Sequence, residues 1–363
     1  MKSTRWFGTL WTSLLLCSAA IAQNGGLRFS LRDLNTDLKN NFGASESTAN
    51  SINNKGQITG NFLFKSDQQC FYFPATGLPQ AFYVRGGAPI ICDARGIDAT
   101  GNIAGSAWTN LNLYRAFRRN SKGTLSTLQP DTAEHNGYGY GISNGIVVGT
   151  MGPHPYQAAK WDLTGAVTNI YPYPYADYVA TGINSSGQIV GYTSTVDNYN
   201  NLIYDGFSIV NGNILGLCCV NSVANAVNAN GYIVGVSDSW TGCDEVFVWY
   251  GYPYTDLGDC PGIGLGISSD NWIVGYTATL QYGTSCSAWG TSGSCSAFLA
   301  ASTANCTGVW DLNTLLDASG TGWVLKEATG INDNHQIVGY GIAPSGEHHA
   351  FLLTPNTLPL CSQ

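Results

Sequence analysis

Charge is what this chain has least of. Asp, Glu, Lys and Arg make up 10% of its 363 residues, where about 25% is usual for soluble domains. What charge exists is acidic: 23 Asp and Glu against 15 Lys and Arg, a formal net of −8. That sign repels phosphate backbones and anionic headgroups, so it argues against nucleic acid and membrane surfaces as partners. Past the first 22 residues no stretch approaches the ~20 apolar residues that span a bilayer, which again speaks against a membrane partner. There is no Cys-x-x-Cys and no His-x(3–5)-His, so zinc is not expected, nor is any other metal or cofactor. No Gly-x-Ser-x-Gly sits in a strand–turn–helix setting, and no catalytic residue can be assigned. A helical period of 3.6 is also missing after residue 22, which predicts an all-β chain.

The start is different in kind. Lys2 and Arg5 precede the mostly apolar Leu10–Leu16, and Ala20-Ile21-Ala22 forms a small-residue cleavage site. This is the three-part layout of a secretory signal peptide over 1–22, cleaved near Ala22, leaving a single domain over 23–363. A lipid anchor at Cys17 is disfavoured by the bulky Leu16 before it. The product is expected outside the cytoplasm, secreted and monomeric.

What the chain has in abundance is repetition. Gly-Ile-Asn-x-x-Gly-x-Ile-Val-Gly, or a near copy, occurs at 51–60, 96–105, 141–149, 182–191, 226–235, 266–275 and 330–339. The closing glycines follow one another at intervals of 40–45 residues, with 64 before the last. Such a period built from short strands marks a propeller array. Within 181–216 two strands flank Asn184-Ser185-Ser186-Gly187, and two more flank Asn211-Gly212-Asn213. Asn at the first turn position bonds back to the backbone, and Gly at the fourth takes a positive φ. His335 and Asn271 stand where four other repeats have that glycine, and both types tolerate the left-handed region. Four strands in seven repeats predict a seven-bladed β-propeller. The segment 27–34 ends Arg32-Asp33-Leu34-Asn35 and resembles the fourth-strand pieces Thr255-Asp256-Leu257-Gly258 and Trp310-Asp311-Leu312-Asn313. It is therefore expected to dock on the last repeat and close the ring, removing two sheet edges.

Ten cysteines follow Cys17, an even number suited to an oxidising compartment. Cys70 with Cys92 and Cys243 with Cys260 are the expected disulfides, each pair bracketing the second half of a repeat. Cys286 with Cys295 would clip a loop. Cys218-Cys219 either pair with each other or face opposite ways.

The repeats resemble the HAF-repeat family of extracellular bacterial proteins. The likeness is clearest in Ala328-Thr329-Gly330-Ile331-Asn332-Asp333, Gln336-Ile337-Val338-Gly339 and the final His349-Ala350-Phe351. It implies export and repeat architecture but no established activity. Other repeats keep only Ala-Phe, as in Ala116-Phe117 and Ala297-Phe298, so His349 is not expected to be essential.

The asparagines Asn53, Asn184, Asn228 and Asn332 and the closing glycines are read as structural, the glycines as letting neighbouring blades approach. Asp197–Asn201 and Asp238, Asp244 and Glu245 could offer oxygens to calcium, but lack EF-hand spacing. The feature a propeller does not require is aromatic: Tyr138, Tyr140, Tyr171, Tyr173, Tyr175, Tyr178, Tyr252 and Tyr254, in or beside loops. Their faces can stack on sugar rings and their hydroxyls can hydrogen-bond; packing between blades is the competing role. The expected function is a non-enzymatic recognition propeller for polysaccharide or an extracellular protein. The alternatives are a carbohydrate-active hydrolase or lyase, or a structural module. An enzyme would need carboxylates converging at the axis, from among Glu46, Glu134, Glu245, Glu327 and Glu347, or the loop histidines His135 and His154.

Overall fold

The computed structural model describes residues 27–356, apart from 85–90, 110, 172–175, 198, 200, 218–220, 239–243, 252–254, 258–261, 279–294 and 304–305. The predicted leader, Tyr173, Tyr175, Tyr252, Tyr254, Cys218, Cys219, Cys243, Cys260 and Cys286 lie outside the described residues.

The repeat folds as its punctuation dictates. In the fourth, Asp177–Ile183, Ile189–Val196, Leu202–Val210 and Asn213–Gly216 form one antiparallel sheet in that order. Asn184 Oδ1 accepts from the N–H groups of Ser186 and Gln188 at 3.1 and 3.0 Å, and Gly187 takes φ +86°. His335 and Asn271 do adopt positive φ, +56° and +67°. Seven such four-stranded sheets are the blades. Their innermost strands are Glu46–Ile52, Cys92–Ile97, Asn136–Ser143, Asp177–Ile183, Val223–Val227, Gly262–Ile267 and Val324–Ile331. The core lies between successive blades. Each third strand gives it one large ring, Phe71, Phe117, Trp161, Phe207, Phe247, Phe298 and Phe351, all at most 2% exposed. Burying each such ring contributes about 1.5–3 kcal/mol.

Closure is as the N-terminal segment foretold. Phe29–Asp33 is the outer strand of the seventh blade, antiparallel to His348–Pro355, with partners running from Phe29 opposite Pro355 to Asp33 opposite Phe351. The Phe29 side chain is fully buried beside Leu312, Leu315 and Leu353. Asp33 then does two jobs. Its Oδ1 caps an α-helix, Leu34–Phe42, by accepting from Asn35 and Thr36 N–H, and its Oδ2 meets His349 Nδ1 at 3.0 Å. This helix corrects the expectation of none. Leu34 and Leu38 are buried, and the helix stops at Gly43, φ +75°. Its apolar period was present but spans only nine residues.

Two further findings concern the motif itself. The closing glycines are set first by their own blade, although Gly105 and Gly235 also lie against the next one: a Cβ on Gly139 would be 2.8 Å from Gly105 O and one on Gly264 3.4 Å from Gly235 O. A Cβ on Gly60 would overlap the Thr48 carbonyl oxygen and lie 2.8 Å from the Phe71 ring, both in the same blade. Gly105, Gly149, Gly191, Gly235, Gly275 and Gly339 face their own inner strand in the same way. The first glycine of the unit brings blades together as well: a Cβ on Gly141 would lie 3.0 Å from Gly182 Cα, and one on Gly266 3.2 Å from Gly330 Cα. The turn asparagines, for their part, also join the blades. Asn53 Nδ2 donates to Asp98 O at 2.8 Å, Asn184 to Asn228 O at 2.9 Å, Asn228 to Ser268 O at 2.8 Å and Asn332 to Asn53 O at 2.9 Å. In the second repeat Asp98 Oδ2 accepts from Gly145 N–H at 2.9 Å.

Cys70 and Cys92 are disulfide-bonded, linking the third strand of the first blade to the inner strand of the second. Cys295 is also disulfide-bonded. Among the described residues no helix is long and apolar enough to cross a membrane.

Candidate functional site: a polar cavity on the propeller axis

Each inner strand carries a β-bulge directly before its Gly-Ile-Asn unit. The register with the second strand shifts around Asn50, Arg95, Tyr140, Thr181, Asn225, Leu265 and Thr329. A bulge inserts one unpaired residue and re-aims its side chain. It also explains the closing glycine. The distorted strand turns the carbonyl two residues before the bulge into the space where the partner's Cβ would sit, so only glycine fits.

All seven bulge residues line one cavity on the axis, about 440 Å³ in volume, together with Val179, Tyr192 and Glu327. Beyond it the Ile or Val of each unit (Ile52, Ile97, Ile142, Ile183, Val227, Ile267 and Ile331) rings the axis. With the first turns it encloses a second cavity of about 270 Å³. The order of letters in the motif is thus a depth scale: variable residue, apolar collar, turn.

Four of the seven bulge side chains are engaged with the next blade. Asn50 Nδ2 donates to Ala94 O at 2.7 Å, Thr181 Oγ1 to Ala224 O at 2.7 Å, Asn225 Nδ2 to Gly264 O at 2.8 Å and Thr329 Oγ1 to Ala49 O at 2.6 Å. Among the described residues Arg95, Tyr140 and Leu265 make no such bond. Arg95 Nε binds Asp93 Oδ2 at 2.5 Å, and its guanidinium lies 5.7 Å from the centre of the Tyr140 ring. Asp93 raises the Arg95 pKa further, so the cation is permanent. Asn61 holds Asp93 in turn, donating from Nδ2 at 2.7 Å. Glu327 enters from the seventh blade, also on an inner strand, and among the described residues no cation pairs with it. Burial pushes its pKa up to about 8, against the pull of Arg95. At neutral pH it is therefore mostly a neutral acid that can donate a proton in a hydrogen bond. Burial also pushes Tyr140 up to about 12 and raises Tyr192. With Asp93 balancing Arg95, the cavity is close to neutral and rich in donors.

A belt of rings leads outward from the cavity over the second and third blades. Trp108 meets Tyr114 at 4.9 Å between ring centres, Tyr114 meets Tyr138 at 5.1 Å, and Tyr138 meets Tyr156 at 6.0 Å. His154 follows Tyr156 at 6.0 Å. Of the tyrosines singled out from sequence, Tyr138 and Tyr140 come together here. Tyr171 and Tyr178 stack on each other at 4.2 Å, and Tyr171 lies 5.1 Å from Phe207 in the core between blades.

Of the five glutamates, only Glu327 reaches the cavity. Glu347 approaches His349 and Lys39 on the closing blade, at 3.3 and 3.9 Å. His135 and His154 pair with Asp131 and Asp177 at 2.7 and 2.9 Å, away from the axis. Asp197 spends its carboxylate on its own turn, accepting from Tyr199 and Asn201 N–H at 2.8 Å each. Among the described residues no three His, Cys, Asp or Glu side chains gather as a metal site. Reading the sequence missed Arg95 as a site residue and named Glu327 only as one of five candidate carboxylates for the axis. For Arg95 the available signal was positional: it is the variable residue before its Gly-Ile unit.

No family model and no curated protein matches the chain, so the likeness to the HAF-repeat family stays on its motifs. Solved structures do match. The β-propeller domain of the Trilobed protease from Pyrococcus furiosus superposes with a TM-score of 0.55 at 9% identity, over 88% of this chain and 97% of that one. A puromycin-hydrolyzing peptidase of Mycobacterium tuberculosis gives 0.55 at 9% identity, over 88% of this chain and 53% of the peptidase. A puromycin hydrolase, as its S511A mutant complexed with PGG, gives 0.52 at 12% identity, over 88% and 54%. This chain thus spans about half of either hydrolytic protein. The Pyrococcus domain is described as having an open velcro topology, whereas here Phe29–Asp33 pairs with His348–Pro355. At such identities the likeness establishes the seven-bladed β-propeller fold and nothing of its chemistry.

Proposed function

We propose that this chain is a secreted, non-enzymatic recognition propeller that takes a hydroxyl-rich ligand, a saccharide, into the polar cavity on its axis. The observation that carries this reading is the set of seven bulges. The fold spends a backbone distortion and an obligate glycine in every blade to aim one side chain at the same space. Six of the seven are amide, hydroxyl, phenol or guanidinium, the groups that hydrogen-bond sugar hydroxyls, and the seventh is Leu265. The tyrosine belt beside the cavity offers ring faces for a longer chain to lie against. Disulfide-bonded Cys70, Cys92 and Cys295 support an exported protein.

A glycan-array screen of the disulfide-intact protein tests the reading. Hits should survive incubation without new reducing ends and lose about tenfold in affinity in Tyr140→Phe, which removes one hydroxyl and no packing. Binding to no glycan would reject it and turn attention to protein partners.

One observation favours an enzyme as the second reading. Glu327, poised near pH 8 beside Arg95, has the proton affinity of a general acid or base. A hydrolase needs a second carboxyl about 5–9.5 Å away, and Glu327 is the one carboxyl lining the cavity among the described residues. A lyase, which needs a base and a charge stabiliser, fits this set better. Release of unsaturated sugar ends from any hit would establish it in place of simple binding.

A further inference from the structure

We infer that the axial cavity is built for a saccharide carrying a carboxylate, a uronate, whose carboxylate is gripped by the Arg95 guanidinium on one side and the Glu327 carboxyl on the other. This rests on the reading of the cavity as a saccharide site and names the class.

Arg95 is the fixed cation of the cavity wall. Asp93 takes only its Nε, at 2.5 Å, and among the described residues the η nitrogens carry no protein hydrogen bond. Asn61 pins Asp93, and Asp93 in turn holds the guanidinium of Arg95, which lines the cavity. A guanidinium with a free edge matches a planar carboxylate with two parallel N–H···O bonds. Arg95 is also the only charged member of the bulge ring, and no lysine lines the cavity. One fixed cation suits one negative charge, which favours a carboxylate over a dianionic phosphate in a protein that is acidic overall.

Glu327 supplies the second half. As an anion it would repel such a ligand; as a neutral acid it donates to it. The charged and titratable groups around it are Arg95 across the cavity, Tyr340 on the neighbouring strand and Tyr276 beyond Tyr340. Arg95 is the one cation among them, and it is already partnered. Burial holds the Glu327 proton on to about pH 8, so the acid form prevails where an extracellular protein works. The rest of the wall, Asn50, Asn225, Tyr140 and Tyr192, presents oxygens and N–H groups to ring hydroxyls.

The test is calorimetric titration of the intact protein with oligomers of galacturonate, glucuronate and mannuronate, each against its methyl ester. At least one acid should bind tenfold or more tightly than its ester at pH 6. That preference should vanish in Arg95→Gln and shrink in Arg95→Lys, which keeps the charge but not the fork. Affinity for the acid should fall as pH rises above 8, by up to tenfold per unit, and stay level in Glu327→Gln. An ester that binds as well as its acid, with Arg95→Gln unchanged, would overturn the uronate assignment and leave the saccharide reading standing. If no acid and no ester binds at millimolar concentration, the uronate assignment falls, and the saccharide reading falls with it only where the glycan array is blank too.

Discussion

A single hydrogen-to-methyl change is enough to probe the bulges. In Gly191→Ala the new Cβ would collide with the Val179 carbonyl and lie 2.8 Å from the Phe207 ring, with nowhere for backbone to retreat. We expect a loss of about 3 kcal/mol or more in urea denaturation. Gly216→Ala, in an outer strand with open space at that point, should be neutral or gain up to about 1 kcal/mol. Similar costs at the two sites would remove the case for the bulge. Glu327 gives a second residue-level handle. A carboxyl whose folded pKa is raised binds its proton more tightly in the native state, so the native state loses ground as pH climbs from about 4.3 to 8. Glu327→Gln should therefore leave Tm unchanged at pH 4 and raise it at pH 9. A fall at pH 9 would mean that the carboxylate is a structural ion.

Between elements, the ring is stapled by side chains with more than one task. Asn332 accepts from the N–H groups of Asn334 and Gln336 and donates to Asn53 O on the first blade. Losing these bonds in Asn332→Ala should cost about 2–3 kcal/mol, and thermal melts would show it. The closing strand is held by His349, 8% exposed, between Asp33 and Glu347. Burial pulls the His349 pKa down, but the Asp33 and Glu347 carboxylates outweigh it and the net shift is upward. Asp33 moves the other way: burial raises it, and the bonds from His349 and Thr36 bring it below its usual value. A raised histidine stabilises fully below about pH 6.5 and loses that as pH passes its folded pKa. A lowered aspartate stabilises above about pH 3.9 and loses that on acidification. Ring closure should thus be firmest between these limits, and His349→Gln should flatten the alkaline side of the Tm profile. An unaltered slope would put the pH dependence elsewhere. The HAF histidine, which sequence alone gave no reason to value, is a closing contact because its partner lies more than 300 residues away.

For the molecule as a whole, the architecture was readable because turn chemistry is local. Asn184 and Gly187 fix their own hairpin, and the Asp33-Leu34-Asn35 ending betrayed the displaced outer strand. The Cys70–Cys92 bond followed from the same repeat arithmetic. The helix Leu34–Phe42 was hidden because two buried leucines in nine residues make too short a period to stand out. The cavity was hidden for a different reason. Whether Arg95 or Tyr140 points at the axis depends on a one-residue register shift, and a shift is a relation between strands that spacing along one strand does not display. The closing glycines were its visible trace, read only as marks of blade contact, which Gly105 and Gly235 also make.

Binding on the axis can be seen in a crystal structure of the protein soaked with its tightest-binding saccharide from the array. Sugar density should lie inside the ring of bulge residues, with a ligand carboxylate between Arg95 and Glu327. A saccharide bound only on the outer blades or loop tips, with the axis holding water alone, would contradict it.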